Sequence, residues 1–150
     1  MPDIEAATRY LHEHIPLTQH MQVRVVAADT LGVRLSAPLS PNINHRRTAF
    51  GGSAASLATL ACWTLVHLHL EALPFASSIV IRRSQMEYDL PIDSDFEAFC
   101  PMPSAALWQH FIDALTRLDK GRIKLGSALY CRGAETARFN GEFVAIKQMG

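Results

Sequence analysis

The sequence has no excess of charge of either sign, because 14 lysine and arginine residues balance 14 aspartate and glutamate residues. A neutral chain lacks the basic surplus that favours binding to nucleic acid or to an anionic membrane, so we expect neither partner. Low net charge also favours self-association, and an oligomer is therefore expected.

Cysteine is scarce, since only Cys62, Cys100 and Cys131 occur and none forms a Cys-x-x-Cys pair. An odd and scattered set argues against a disulfide framework or a zinc cluster. His-x-x-x-His and carboxylate–histidine clusters are also missing, so we expect no metal site. The chain is predicted to be cytoplasmic, with reduced and buried thiols.

The N-terminus lacks a basic region followed by an apolar one, so no secretory signal is expected. The longest apolar run, 57–70, approaches the roughly 20 residues of a membrane span. However, the run follows Gly51-Gly52, is rich in alanine and ends in His-Leu-His. It therefore predicts a helix buried in a protein core. The 150 residues, 49% of them hydrophobic, predict a single domain over 1–150.

Hydrophobic periodicity predicts three helices and six strands. The helices are predicted at 3–13, 51–71 and 104–118, with Asp3 and Ser104 as caps, and Pro16 and Pro74 as the ends of the first two helices. The strands are predicted at 22–28, 33–37, 77–88, 95–100, 122–132 and 136–147. Hairpins dominate this order, so we expect an α+β fold whose curved antiparallel sheet wraps one long helix.

The stretch 41–63 combines a polar loop, a glycine pair and the start of the long helix. Unpaired backbone N–H groups and the helix dipole make such a start attractive to a polarised carbonyl. Gly51 and Gly52 would allow close approach, although they could also serve only the turn. Asn44 could orient a substrate or a water, or bond to its own loop. Ser53 could donate to a substrate, but helix capping is its expected role.

The segment Asn44, Thr48-Ala49-Phe50-Gly51-Gly52-Ser53 and the helix behind it resemble the hot-dog fold. The loop 41–45, Trp63, Tyr88 and Pro91 extend the similarity to the thioesterase-like domain found at the C-terminus of YiiD-type proteins. This resemblance covers essentially the whole chain.

The resemblance implies a homodimer or a dimer of dimers that hydrolyses acyl-CoA or acyl-carrier-protein thioesters without a metal or redox cofactor. The acyl chain would lie between two protomers, near the start of the central helix. The site residues expected from the motif and the chemistry fall into two groups. The catalytic candidates are Asn44, Gly52, Ser53 and Thr59; the substrate-binding candidates are Asn42, Thr48, Phe50, Gly51, Arg82 and Tyr88.

The expected acid–base residue is absent from the helix. A major hot-dog group has an aspartate seven residues after the second glycine, where this chain has Thr59, and a histidine where this chain has Phe50. A hydroxyl cannot act unaided as a general base. Three possibilities remain open. Glu87 or Asp89 of the partner supplies the base, Asn44 and Thr59 position a water, or the domain binds acyl thioesters without cleaving them.

Two arginine pairs, Arg46-Arg47 and Arg82-Arg83, are candidates for contacts with the phosphates of CoA or phosphopantetheine. They could equally be solvent-exposed charges on a loop and a strand. A dehydratase would need the histidine and acid that Phe50 and Thr59 replace, so the sequence favours a thioester hydrolase, with a non-catalytic acyl-binding domain as the alternative.

Overall fold

The computed structural model describes residues 2–149 and contains one six-stranded sheet in the order β1-β2-β4-β5-β6-β3. Every neighbouring pair of strands is antiparallel. The strands are β1 Arg24–Asp29, β2 Gly32–Ala37, β3 Ser77–Tyr88, β4 Phe96–Pro101, β5 Lys120–Cys131 and β6 Ala134–Lys147. The helices are α1 Ile4–His14, α2 Pro16–Met21, α3 Gly51–Leu70 and α4 Ala105–Leu118, with a 3₁₀ turn at Ser40–Asn42.

The sheet packs around α3, as the sequence predicts. Leu57, Ala61 and Leu65 on α3 are fully buried against the inner faces of the strands. The Ser127 hydroxyl of β5 donates to the Ala58 carbonyl at 2.8 Å and ties the sheet to the helix. By length and composition α3 could cross a membrane, but 56% of its apolar window is buried inside the structure.

One stripe of α3 is left partly open by the sheet. Gly52 is exposed, and Ala55, Ser56, Thr59 and Trp63 are half-buried. These positions are three or four residues apart and therefore share one face of the helix. We call them the open stripe. It begins at the glycine pair, so the exposed face of α3 and the candidate site are continuous.

The strand β3 forms an uncovered edge of the sheet. It pairs with β6 on one side only, over a length of 12 residues. Val80, Ile81 and Tyr88 on this strand are 50%, 41% and 55% exposed. A long apolar edge with free backbone groups is a surface that proteins usually cover or pair.

The N-terminal segment corrects one sequence prediction. Pro16 does not simply end the first helix, because it is also the first residue of α2. Proline suits that position, since its missing N–H would be unpaired there anyway. The predicted cap is confirmed, as the Asp3 carboxylate accepts from the amides of Glu5 and Ala6 at 3.0 and 3.2 Å.

The helix α4 closes one end of the sheet. Its amide at Leu107 donates to the Ser104 hydroxyl at 3.2 Å, which confirms that cap. Phe111 is buried against β5, but Leu107 and Leu118 are 40% and 74% exposed, so the apolar residues at the two ends of α4 do not join the core. A Cβ at Gly121 would lie 2.8 Å from the Phe111 carbonyl oxygen, so glycine is needed where helix and strand meet.

The two strands of the last hairpin, β5 and β6, each begin earlier in the chain than the sequence predicts. Asp119 ends α4 in the left-handed region, and β5 starts at the next residue. Arg132 and Gly133 both have positive φ, at 54° and 79°, as a tight two-residue hairpin requires. β5 and β6 therefore begin at Lys120 and Ala134, each two residues before the strands predicted at 122 and 136.

Candidate active site

Asn42 is a structural residue of the loop that leads to α3. It is 2% exposed, and its side-chain amide donates to the carbonyls of Met21 and Pro38 at 3.0 and 2.8 Å. Its own backbone carbonyl accepts from the Phe50 amide at 2.8 Å. The prediction that Asn42 binds substrate is therefore wrong, because its side chain is buried and joins α2 to the end of β2.

Asn44 holds a small hairpin that spans residues 43 to 49. Its side-chain oxygen accepts from the amides of Arg46 and Thr48 at 2.8 and 3.1 Å. Its side-chain NH₂ donates to the Thr48 hydroxyl at 2.9 Å and the Ala49 carbonyl at 3.4 Å. These four bonds occupy the amide, so the structure places Asn44 and Thr48 in the loop and corrects the expectation that Asn44 orients a thioester or a water.

The first turn of α3 presents free amides. The first intrahelical bond runs from the Ala54 amide to the Phe50 carbonyl at 3.0 Å. Within residues 2–149, the amides of Gly51, Gly52 and Ser53 have no hydrogen-bond acceptor. The Ser53 side chain makes no capping bond, so its predicted capping role is wrong. Three unpaired N–H groups and the helix dipole make this turn a binding point for an oxyanion.

Two aromatic rings flank the glycine pair. A Cβ at Gly52 would lie 2.5 Å from the Phe50 ring, so this ring rests on the bare Cα where a carbonyl was expected to approach. Phe50 is 57% exposed and can swing away. On the other side, the Tyr88 hydroxyl donates to the Gly51 carbonyl at 3.1 Å. The structure therefore brings Phe50, Gly51, Gly52 and Tyr88 together at one opening.

Thr59 lies in the open stripe two turns after Gly52. Its hydroxyl donates to the Ala55 carbonyl at 2.8 Å, so its proton is already used. The oxygen retains lone pairs that can accept a hydrogen bond from water. Thr59 can therefore help to hold a water but cannot take its proton as a base.

Within one copy of the chain, Glu87 and Asp89 pair with Arg138 and do not reach the helix start; whether a partner's carboxylate acts as the base stays a prediction. Glu87 contacts Arg138 at 3.0 Å and Asp89 contacts it at 3.5 Å. Arg138 lies between buried Ala137 and Phe139 on β6, so it projects from the sheet face opposite α3. Glu87 therefore does not face the helix start, and residues 41–70 contain no aspartate or glutamate.

The two arginine pairs differ in their surroundings. Arg82 forms an ion pair with Glu142, and this bond together with the charge of Arg82 lowers the pKa of the Glu142 carboxyl. Arg82 is therefore already bound to an anion, which weakens its predicted role in substrate binding. Arg46 and Arg47 are exposed and have no carboxylate within 4.0 Å among residues 2–149.

The family model described as "Putative thioesterase (yiiD_Cterm)" matches residues 4–147 of the chain. The chain belongs to this thioesterase family. A putative thioesterase from Shewanella oneidensis is 30% identical, with a TM-score of 0.85 over 95% of this chain and 96% of that one. A protein of unknown function from Chlorobaculum tepidum is also 30% identical, with a TM-score of 0.90 over 96% of this chain and 94% of that one.

A probable thioesterase from Pseudomonas aeruginosa shares the fold at 18% identity, with a TM-score of 0.80 over 98% of this chain and 97% of that one. These structures confirm the predicted hot-dog fold. The family model and the Shewanella protein support the interpretation of the chain as a thioesterase, in agreement with the resemblance carried by the TAFGGS segment.

This YiiD_C-family chain also has an aromatic stack that the sequence analysis missed. Tyr10 stacks on His14 and His67 at centroid distances of 4.0 and 4.3 Å, and His67 stacks on Trp63 at 5.0 Å. Burial lowers the pKa of His67, against the opposing effect of Glu71 at 3.0 Å. The spacing of Trp63 and His67 indicates that both lie on one face of α3. Only the folded structure shows that Tyr10 of α1 packs against that face.

The largest cleft lies away from the predicted site. It has a volume of about 1030 Å³ and is lined by residues of the sheet face opposite α3, including Arg34 and Glu97. These two side chains pair with each other at 3.2 Å, and none of the predicted site residues lines the cleft. Arg24 and Asp95, which also line the cleft, form no ion pair among residues 2–149, so charge alone does not rule the cleft out as a binding surface. The candidate site of the sequence analysis remains the start of α3, where the TAFGGS segment lies.

The three cysteines are buried and unpaired, as expected. Burial raises the pKa of Cys62, which disfavours its thiolate. Across residues 2–149, histidine, cysteine and carboxylate side chains form no group of three that could hold a metal ion.

Proposed function

We propose that the protein is a cytoplasmic acyl thioester hydrolase that acts on acyl-CoA or acyl-carrier-protein thioesters at a site shared by two copies of the chain. The single observation that carries the proposal is the row of unpaired amides at Gly51, Gly52 and Ser53, which opens onto the open stripe of α3. Membership of the thioesterase family supports the reaction, while the substrate carrier and the dimer are our inference.

In the proposed reaction, the thioester carbonyl oxygen accepts hydrogen bonds from the Gly51 and Gly52 amides. These bonds strengthen as the carbonyl becomes a tetrahedral oxyanion, which lowers the barrier to attack by water. Phe50 must move off Gly52 for the carbonyl to enter, and its exposure permits that movement. The attacking water loses one proton to solvent and keeps the other as the hydroxyl of the product. Collapse of the intermediate breaks the C–S bond, forms the carboxylic acid and releases the thiolate, which takes a proton from solvent.

A second copy would complete the site along the β3 edge. Antiparallel pairing of two β3 strands about a two-fold axis would satisfy the free backbone groups and cover Val80 and Ile81. The same pairing would bring two open stripes towards each other. The acyl chain would then lie between Ala55, Thr59 and Trp63 of both copies, in a pocket that one copy alone leaves open to water.

Proton transfer is the limiting part of this mechanism. Residues 41–70 supply no carboxylate, and the Thr59 hydroxyl can only accept a bond from the attacking water. We therefore propose slow hydrolysis by a positioned water, without a dedicated base on α3. The same observation favours a second function, in which the domain binds acyl thioesters without cleaving them.

Thiol release from acyl-CoAs of graded chain length, measured with the purified protein, separates these functions. The hydrolase proposal predicts turnover that depends on chain length. Acyl-CoA binding by calorimetry without thiol release would overturn hydrolysis in favour of the binding function. Light scattering at the assay concentration tests the shared site, because an active monomer would contradict it.

A further inference from the structure

Trp63 lies at the far end of the open stripe from the glycine pair. The rest of the stripe consists of small side chains, at Gly52, Ala55, Ser56 and Thr59. The indole is half-buried, and its Nε1 donates to the Ile79 carbonyl of β3 at 3.2 Å. Because this bond ties the ring to the sheet as well as to α3, Trp63 is the first large and fixed side chain that a molecule lying along the stripe would meet.

Two further rings support the indole from behind. His67 stacks on Trp63 at a centroid distance of 5.0 Å, with 10° between the ring planes. Tyr10 of α1 stacks on His67 at 4.3 Å and joins a second helix to the stack. Burial lowers the pKa of His67, so its imidazole is neutral at pH 7. The stack therefore presents no charge to the stripe, and a hydrocarbon can pack against its first ring.

A cavity lies on the other side of the stack. Its volume is about 530 Å³, and the residues that line it include Tyr10, His67, Phe75 and Ile79. Trp63 contacts three of these residues, since it stacks with Tyr10 and His67 and donates to the Ile79 carbonyl. The indole therefore separates the open stripe from space that a longer chain could fill.

We propose that Trp63 limits the length of the acyl chain that the site accepts. A chain whose thioester carbonyl lies at the amides of Gly51 and Gly52 would run along the open stripe and stop at the indole. This inference rests on the proposed function and identifies its substrate class by chain length.

The geometry of α3 gives the limit. Eleven positions separate Gly52 from Trp63, a rise of about 16 Å, and a helical side chain covers the turn before its own Cα, which shortens the path by about 5 Å. An extended hydrocarbon advances about 1.3 Å for each carbon–carbon bond of about 1.5 Å. The remaining path of roughly 11 Å therefore holds an acyl group of about 8 to 10 carbons.

Fluorescence quenching tests where the end of the chain lies. The ligands are ketone analogues of acyl-CoA that retain the carbonyl but cannot be hydrolysed, each with a bromine at the end of its chain. Bromine quenches an indole only near contact. The sequence has two tryptophans, so Trp108→Phe leaves Trp63 as the only one and keeps an aromatic ring beside Phe111. Quenching should be strongest for chains of about 8 to 10 carbons and weak for chains of about four.

Trp63→Ala should open the way to the cavity behind the stack. For the wild type, each added methylene should lower the dissociation constant by up to about fourfold, and this gain should end near ten carbons. In Trp63→Ala the gain should continue for about four more carbons, because the His67 ring lies one helical turn, about 5 Å, further on. The kcat/KM for thiol release from acyl-CoAs should show the same two limits.

Two variants serve as controls for the loss of the indole. Trp63→Phe retains a ring at this position and should keep the wild-type limit. Trp108→Ala truncates another half-buried tryptophan, on α4, and should also keep it. An unchanged limit in a folded Trp63→Ala, or the same change of limit in Trp108→Ala, would overturn the proposal. The quenching experiment leaves Trp63 in place, so it decides the question even where Trp63→Ala does not fold.

The same measurements separate this inference from the proposed function. A Trp108→Phe protein that binds the bromine-labelled analogues with equal quenching at every chain length, or with none, refutes the role of Trp63 alone. A wild-type protein that neither binds the analogues nor releases thiol from acyl-CoA refutes the proposed function and this inference with it.

Discussion

Replacing Gly51 with proline would remove one oxyanion donor and leave the helix intact. Gly51 is the first residue of α3, where proline is favoured because no intrahelical bond needs its N–H. Phe50 has φ −59° and ψ 134°, the extended conformation that the residue before a proline prefers. A Cβ at Gly51 meets nothing closer than the Tyr88 hydroxyl at 3.7 Å. The backbone at 50–51 and the space around the Cβ therefore both suit the substitution.

The expected effects on stability and on rate have opposite signs. A proline or alanine that fits the native backbone reduces the entropy of the unfolded chain and should stabilise the fold by about 0.4–1 kcal/mol. If the Gly51 amide binds the oxyanion, its loss should lower kcat by about 10²–10³-fold, the usual effect of removing one such donor. Gly51→Ala is the matched control, since it adds the Cβ but retains the N–H.

The assay is thiol release from one acyl-CoA at saturation, together with urea unfolding of the wild type and both variants. The prediction is that Gly51→Ala retains kcat within a few-fold while Gly51→Pro loses it, with both variants at least as stable as the wild type. Equal kcat values for a folded Gly51→Pro and Gly51→Ala would refute the role of this amide. A rate loss shared by both variants would instead assign the effect to the added Cβ.

Three further predictions concern the residues around the site. Asn42→Ala removes two hydrogen bonds and should lower the free energy of unfolding in urea by about 2–3 kcal/mol. The control Asn140→Ala, at an exposed position, should lower it little. Equal losses in the two variants would contradict the structural role of Asn42. Arg82→Gln should destabilise at pH 7. Because Arg82 lowers the folded pKa of Glu142, this difference should vanish as the pH falls through that lowered pKa. A difference that persists in acid strong enough to protonate Glu142 would contradict the ion pair. Glu87→Gln should leave kcat within about twofold, since Glu87 faces away from α3, and a hundred-fold loss would identify it as the base.

The architecture was predictable because its signals are local and periodic. Alternating residues gave the strands, and the bounds of β3 at Ser77–Tyr88 agree with the prediction residue for residue. The glycine pair and Pro74 marked the limits of α3 to within one residue. The error at Pro16 arose because proline both ends one helix and begins another, and the sequence pattern does not separate these roles.

The site was harder to predict because its contacts are non-local. Asn42 and Asn44 both occur in a polar loop, yet one is buried against Met21 and Pro38 while the other closes a hairpin. Composition cannot distinguish these two outcomes. The ion pair of Arg82 with Glu142 depends on the register of β3 against β6, across 60 positions of sequence. Only the fold decides which arginine remains free for a ligand.

The distribution of charge around α3 constrains the mechanism more than any single residue does. At the helix start, the amides of Gly51 and Gly52 have no acceptor among residues 2–149, and the Thr59 hydroxyl can only accept a hydrogen bond from water. Such a site can bind a carbonyl oxygen, and this contact strengthens binding whether or not water attacks. Attack by water also requires an acceptor for its proton, and the nearby carboxylates Glu87 and Asp89 contact Arg138. The site is therefore better equipped to bind a thioester than to hydrolyse it. Hydrolysis should be slow, and its rate should depend on the proton acceptors that the second copy and solvent supply.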